Sequence, residues 1–295
     1  LGTTAPGHML VGALGHWLTG DAGLLPLMAV LGCAGWAAQA LAVFLLLLRH
    51  LGRGGAALVA LCVGAGAALS QRHVVLETNL AAALSLWAIL LAARSRWSAA
   101  AVLCAVAGLV RPDAHLTSIL VGLACLYELR GRAWRPVLLF VVVALPWYLF
   151  AQLYYGSMIP QSALTKTART PLVDYGLHIL RHPAGALFPF ALEGAPRVLA
   201  ALFTWLLAAA GAVWMVRAGP RLWLLPALGG LHLGAYLVLR PFWFHTWHLY
   251  PGLVVVVVLA LTTVATLARA ASRPARGASL ALLGLLAAGY GLRSA

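Results

Sequence analysis

Of 295 residues, 63% are hydrophobic and 9% charged, and the mean hydropathy is +0.95. These values exclude a soluble globular domain and require a polytopic membrane protein. A net charge of +14 would suggest a nucleic-acid partner in a soluble chain. Here the arginines fall in short clusters between apolar runs, as in loops facing anionic lipid, so the bilayer is the expected partner and nucleic acid is not.

No alternating ten-residue pattern suggests a barrel, so the expected fold is all-α, a polytopic transmembrane helical bundle. The chain opens at Leu1 with no methionine, signal peptide or basic n-region, and is expected to lack its N-terminus. Gly2-Thr3-Thr4-Ala5-Pro6 reads as a loop entering a short interfacial helix that ends near Trp17. Spans are predicted at roughly 24–48, 55–70, 79–93, 98–110, 114–129, 136–153, 198–216, 222–239, 249–268 and 279–293, about ten in all. No linker divides them, so residues 1–295 form a single membrane domain. Within it the segment 154–197 has no clear span and contains Pro160, Pro171, Pro183, Pro189 and Pro196, which predict only short helices. Cys33, Cys62, Cys104 and Cys125 each lie inside an apolar run without CxxC spacing, and read as buried small hydrophobes.

Orientation follows from the arginines. Arg49/Arg53, Arg94/Arg96, Arg130/Arg132/Arg135, Arg217/Arg221 and Arg269/Arg273/Arg276 occupy every second loop, which places those loops in the cytoplasm of a bacterial plasma membrane. The other face then carries 71–78, 111–113, the extracytoplasmic segment 154–197 and 240–248. Five of the six acids (Asp21, Glu77, Asp113, Asp174, Glu193) fall on this outward side, and Glu128 alone sits beside the cytoplasmic arginines. Ionisable groups at membrane level are costly and kept for a reason, so the polar chemistry is expected on the outer face.

Four outward motifs stand out, each with a plainer alternative. After Arg72, Glu77 opens a helix beside Thr78 and Asn79. It either complements the helix dipole or serves as a carboxylate for sugar hydroxyls and proton transfer. Arg111-Pro112-Asp113 closes one helix and opens the next, either as an ion pair pinning a turn or with Arg111 clamping a phosphate. The run Tyr154 to Lys166 includes Tyr155, Gln161 and Ser162 and holds the chain's one lysine. Lys166 either snorkels to headgroups from an aromatic belt or binds phosphate as a point charge on a flexible stem. Finally, His245 and His248 lie in an aromatic-rich helix mouth, where they suit diphosphate oxygens or sugar hydroxyls. A divalent metal there lacks further identifiable ligands, and no cofactor is expected.

Taken together, these motifs resemble those of the GT-C class of membrane glycosyltransferases that use polyprenyl-phosphate sugars. The likeness is strongest to the bacterial arabinofuranosyltransferase-like branch, with mannosyl- and aminoarabinosyltransferases more distant. Residues 2–6 resemble the end of that family's first periplasmic loop, and Leu76-Glu77-Thr78 its Gly-(Leu/Met)-Glu-Thr. Arg111-Pro112-Asp113 resembles Arg-Pro-(Glu/Asp)-Gly, and Tyr154 to Lys166 a Tyr-(Tyr/Phe)-Gly motif running through Pro-(Asn/Gln) to a lysine. Val75 and Ala114 stand where the family usually has glycine.

The resemblance implies transfer of a sugar from a polyprenyl-phosphate donor to an envelope glycan, lipid or protein acceptor. Lys166, Arg111, Tyr155 and Gln161 would hold the donor phosphate, and Arg72, Asp113, Ser162, His245 and His248 the substrates. Glu77 is the catalytic candidate, while the family's general base is expected just before Leu1, so this chain alone is expected to be inactive. A transporter of lipid-linked sugars is the alternative. It needs polar groups at mid-depth on broken helices, whereas the predicted mid-span positions are almost all Ala, Leu, Val and Gly.

Overall fold

A computed structural model describes residues 6–68, 77–158, 171–187, 194–239 and 246–270. Among these residues the regular structure is helical throughout: α1 (Pro6–Ala68), α2 (Glu77–Ala93), α3 (Trp97–Val110), α4 (His115–Leu129), α5 (Trp134–Tyr155), α6 (Leu172–Leu187), α7 (Gly194–Ala218), α8 (Leu224–Leu239) and α9 (Thr246–Ala270). Most are apolar on every side, as helices are when they are surrounded by other helices or lipid. The long stretch α1 is broken at Gly20 (φ 65°) and Gly52 (φ 68°), left-handed positions that glycine alone adopts without a Cβ penalty. These breaks separate the short first helix and the runs predicted at 24–48 and 55–70.

The next seven predicted spans each coincide with a helix to within a few residues, and 279–293 lies outside the described residues. Their number as spans is corrected. Four described helical stretches are long and apolar enough to cross a bilayer: Met9–Gly64, Trp134–Tyr155, Ala195–Ala218 and Leu249–Ala270. That is fewer than the ten expected, and the reason is length. At about 1.5 Å per residue, α2, α3, α4 and α8 reach only about 21–26 Å, short of a ~30 Å hydrocarbon core.

Two further expectations are corrected. The segment 154–197 contains the 16-residue helix α6, which continues through Pro183 rather than stopping there. Its Tyr175 and Ile179, one turn apart, are buried in the core, and the Trp205 indole N–H donates to the Leu180 carbonyl at 3.0 Å. Interior packing therefore outweighs the proline's missing donor. Cys62, Cys104 and Cys125 are buried as expected, but Cys33 is exposed, because it lies on the face of α1 turned away from the other helices.

The core centres on α9, whose run Leu253 to Leu261 is buried among α7, α8 and α1. Its closest approach is to α7. A Cβ on Gly211 would stand 2.1 Å from the Leu259 carbonyl oxygen, and Thr263 Oγ1 donates across the pair to the Leu207 carbonyl at 2.7 Å. Gly211→Ala is therefore expected to lower stability by about 1–3 kcal/mol through overpacking. Gly230→Ala, where nothing lies within 4 Å, should leave the thermal midpoint in detergent unchanged.

The two ends of the bundle differ in chemistry. At one end the Arg221 guanidinium donates to both Glu128 oxygens (2.6–2.9 Å) and to Ser95 Oγ (2.6 Å), and lies over the Trp97 ring at 5.7 Å. Arg269 donates to the His50 carbonyl at 2.7 Å. The loops carrying the arginine clusters thus meet on one face. At the far ends of α2, α3 and α8 lies a second polar group.

Candidate functional site

The site is built where the start of α2 meets the end of α3. Arg111 leaves α3 in extended conformation (φ −153°, ψ 123°), and Pro112 then sets a single tight helical turn leading into α4. That turn points Asp113 back at Arg111, whose Nε donates to Asp113 Oδ1 at 2.7 Å. Arg111 Nη1 donates to the Thr78 hydroxyl and stands 3.9 Å from Glu77 Oε1. The second Asp113 oxygen, Oδ2, accepts from the Tyr236 hydroxyl of α8 at 2.7 Å. His232, one turn earlier in α8, is buried with its ring 5.1 Å from that of Tyr236.

The charges are mutually compensated. The Arg111 side chain is 6% exposed and that of Asp113 14%. Burial alone would favour the neutral forms of both. It is outweighed at Arg111 by Asp113, Tyr236 and Glu77, which keep the guanidinium protonated, and at Asp113 by Arg111 and His232, which hold the carboxyl below the usual carboxylate range. Glu77, at 22% exposure, is the most open member of the group.

A second set of contacts fixes the first turn of α2 from its other side. The buried Gln39 of α1 donates Nε2 to the Asn79 carbonyl at 3.0 Å, and its Oε1 accepts from the Tyr250 hydroxyl of α9 at 3.3 Å. Gly35 lets α1 lie against the backbone here, since a Cβ would stand 3.1 Å from the Asn79 carbonyl carbon. The first turn of α2, which carries Glu77, is thus fixed from α1 and α9 on one side and from Arg111 on the other.

Of the residues singled out from sequence, Glu77, Arg111 and Asp113 come together. The Arg111–Asp113 pair has the turn-pinning geometry that was the plainer of its two readings. His248 lies on the first turn of α9, near Tyr250 and hence at the same end. Tyr155 is 53% exposed, and its ring contacts are Tyr154 (4.9 Å) and Phe150 (6.0 Å), an aromatic group apart from the Arg111 network. Arg72, Gln161, Ser162, Lys166 and His245 fall outside the described residues. Among those described, no group of three or more His, Cys, Asp or Glu is placed to hold a metal ion.

Sequence reasoning missed Tyr236, His232 and Gln39. The signals were a His-x-x-x-Tyr pair on one face of a Leu- and Gly-rich helix, and a lone glutamine inside an apolar run. Tyr236→Phe removes one hydrogen bond to a charged oxygen, and is expected to lower the unfolding midpoint by the equivalent of about 1–2 kcal/mol.

The chain's similarity to known proteins lies in its fold. No protein-family model matches the sequence, and no curated protein does. Among solved structures it superposes on the crystal structure of ArnT from Cupriavidus metallidurans in the apo state, with a TM-score of 0.60 at 16% identity. The two chains share an all-helical fold. The match covers 94% of this chain and 51% of that one, so this chain spans about half the length of the ArnT structure. At 16% identity the likeness concerns the ArnT-like fold and not a branch of the class.

Proposed function

We propose that this chain forms part of a membrane glycosyltransferase that moves a sugar from a polyprenyl-phosphate donor to an envelope glycan, lipid or protein acceptor. The reaction takes place on the extracytoplasmic face of a bacterial plasma membrane, in the manner of the arabinofuranosyltransferase-like branch. The observation that carries this reading is the Glu77–Arg111–Asp113–Tyr236 group, held at the end of an ArnT-like fold opposite the arginine face.

In the reaction, an acceptor hydroxyl oxygen bonds to the anomeric carbon. The bond from that carbon to the phosphate oxygen breaks, and the lipid phosphate leaves with the electron pair. A carboxylate near the hydroxyl takes its proton, and cations near the phosphate stabilise the charge that develops. Asp113 has both oxygens engaged by Arg111 and Tyr236, so its part is to hold the platform. Glu77, more open and 3.9 Å from Arg111, is the carboxylate that meets the acceptor or the sugar. Lys166 supplies the cation at the phosphate, while Arg111, neutralised by Asp113, holds the turn that carries the site.

Membranes containing the full-length protein, supplied with a radiolabelled polyprenyl-phosphate sugar, are expected to form a new glycosidic bond on an envelope acceptor. Movement of the labelled lipid across the bilayer with no glycosidic bond formed would replace this reading with that of a transporter.

A further inference from the structure

Near the arginine face, α4 and α5 each pack on α3 but barely on each other, which leaves a slot between them. At its arginine end is a cavity of about 470 Å³ whose lining includes Ser95, Ser98, Trp134, Arg132 and Arg135. Trp97 and Pro136 line this cavity and also the next, a narrower and almost wholly apolar space of about 130 Å³ that reaches Val121, Gly122 and Phe140. Phe140 and Ser118 in turn border a third, open hollow ending at His115 and Tyr148. From Trp134 to Tyr148 the slot follows about 21 Å of helix, longer than the ~15 Å depth of one leaflet.

The charge at the mouth is unbalanced. Neither Arg132 nor Arg135 has an ion pair with a described residue; Arg135 lies beside the Trp134 ring at 5.3 Å. The acid on this face of α4, Glu128, has both oxygens bonded by Arg221. Two exposed cations therefore stand at the entrance of an apolar channel that opens sideways towards lipid. Such a combination suits an amphiphile with an anionic head and a hydrocarbon tail.

We propose that this slot binds one anionic phospholipid, its phosphate between Arg132 and Arg135 and one acyl chain in the apolar cavity beside Phe140. The phosphate end of the slot lies on the face opposite Glu77, and the proposal does not depend on the glycosyl-transfer reading.

Native mass spectrometry of the purified full-length protein, titrated with dioleoyl phosphatidylglycerol and dioleoyl phosphatidylcholine, tests the proposal. The wild type is expected to bind the anionic lipid more tightly. Replacing both arginines (Arg132→Ala with Arg135→Ala) should weaken that binding about thirty-fold. Gly122→Leu, at a position where nothing lies within 4 Å, fills the apolar cavity and should also weaken binding while both arginines remain. Arg217→Ala, an exposed arginine outside the slot, should change nothing. Equal binding of the two lipids overturns the proposal, as does wild-type affinity in both slot variants or an equal loss in Arg217→Ala. Displacement of phosphatidylglycerol by decaprenyl phosphate would assign the slot to a donor tail and overturn it as well.

Discussion

Asp113→Ala is expected to destabilise the protein by about 3–5 kcal/mol, because it leaves the buried Arg111 guanidinium without its closest counter-charge. The loss exceeds the worth of one hydrogen bond, since Glu77 is 3.9 Å away and cannot replace a 2.7 Å contact. Removing the whole pair is a different experiment. Arg111→Met with Asp113→Leu should recover most of the stability, because no unpaired charge then remains buried. Thermal unfolding in detergent measures both, and a double variant no better than Asp113→Ala would contradict the ion-pair account.

The same pair sets a pH dependence. The folded-state pKa of Asp113 lies below its unfolded value of about 3.9. Its contribution is therefore present at every pH above that value and is lost as pH falls through the folded value. The stability gap between wild type and Asp113→Asn should stay constant from pH 8 to 5 and close only below about pH 4.

Much of this arrangement was legible in the sequence, and what was not had definite physical causes. Arg111-Pro112-Asp113 declares its turn locally, because proline sets the backbone and two opposite charges two residues apart find each other. The partner that engages the second Asp113 oxygen, Tyr236, lies 123 residues further along. No local pattern links them. Helix positions and lengths followed from apolar runs punctuated by arginine, with α3 within a residue of the predicted 98–110. The number of spans did not, since an apolar run can be helical without being long enough to cross a bilayer. The breaks at Gly20 and Gly52 fall between the predicted runs, but which of the 30 glycines would take left-handed backbone was not legible, because that is a property of the fold and not of the residue type. The helix α6 passes Pro183 because Tyr175 and Ile179 anchor it in the core, a contribution that residue-by-residue propensity does not contain.

The largest functional effects are expected at Glu77 and Lys166. In the full-length protein, Glu77→Gln should abolish sugar transfer from a polyprenyl-phosphate donor while leaving expression and unfolding midpoint near wild type. The two outcomes separate because of geometry. Glu77 is partly open and its contact with Arg111 is long, so neutralising it costs little stability. Gln39 and Tyr250 hold the first turn of α2 independently of its charge. A glutamine keeps the shape and can still hydrogen-bond a hydroxyl but carries no charge, so retained substrate binding with lost turnover would show that the Glu77 charge acts on the sugar or acceptor in the transition state. Lys166→Ala should abolish transfer too, through loss of the cation at the leaving phosphate, and Lys166→Arg should restore only part of it, because a planar fork does not reproduce a point charge. Wild-type transfer rates in both Glu77→Gln and Lys166→Ala would remove these residues from the site. Asp113→Ala supplies the contrasting pattern, in which activity falls only as far as the folded protein is lost.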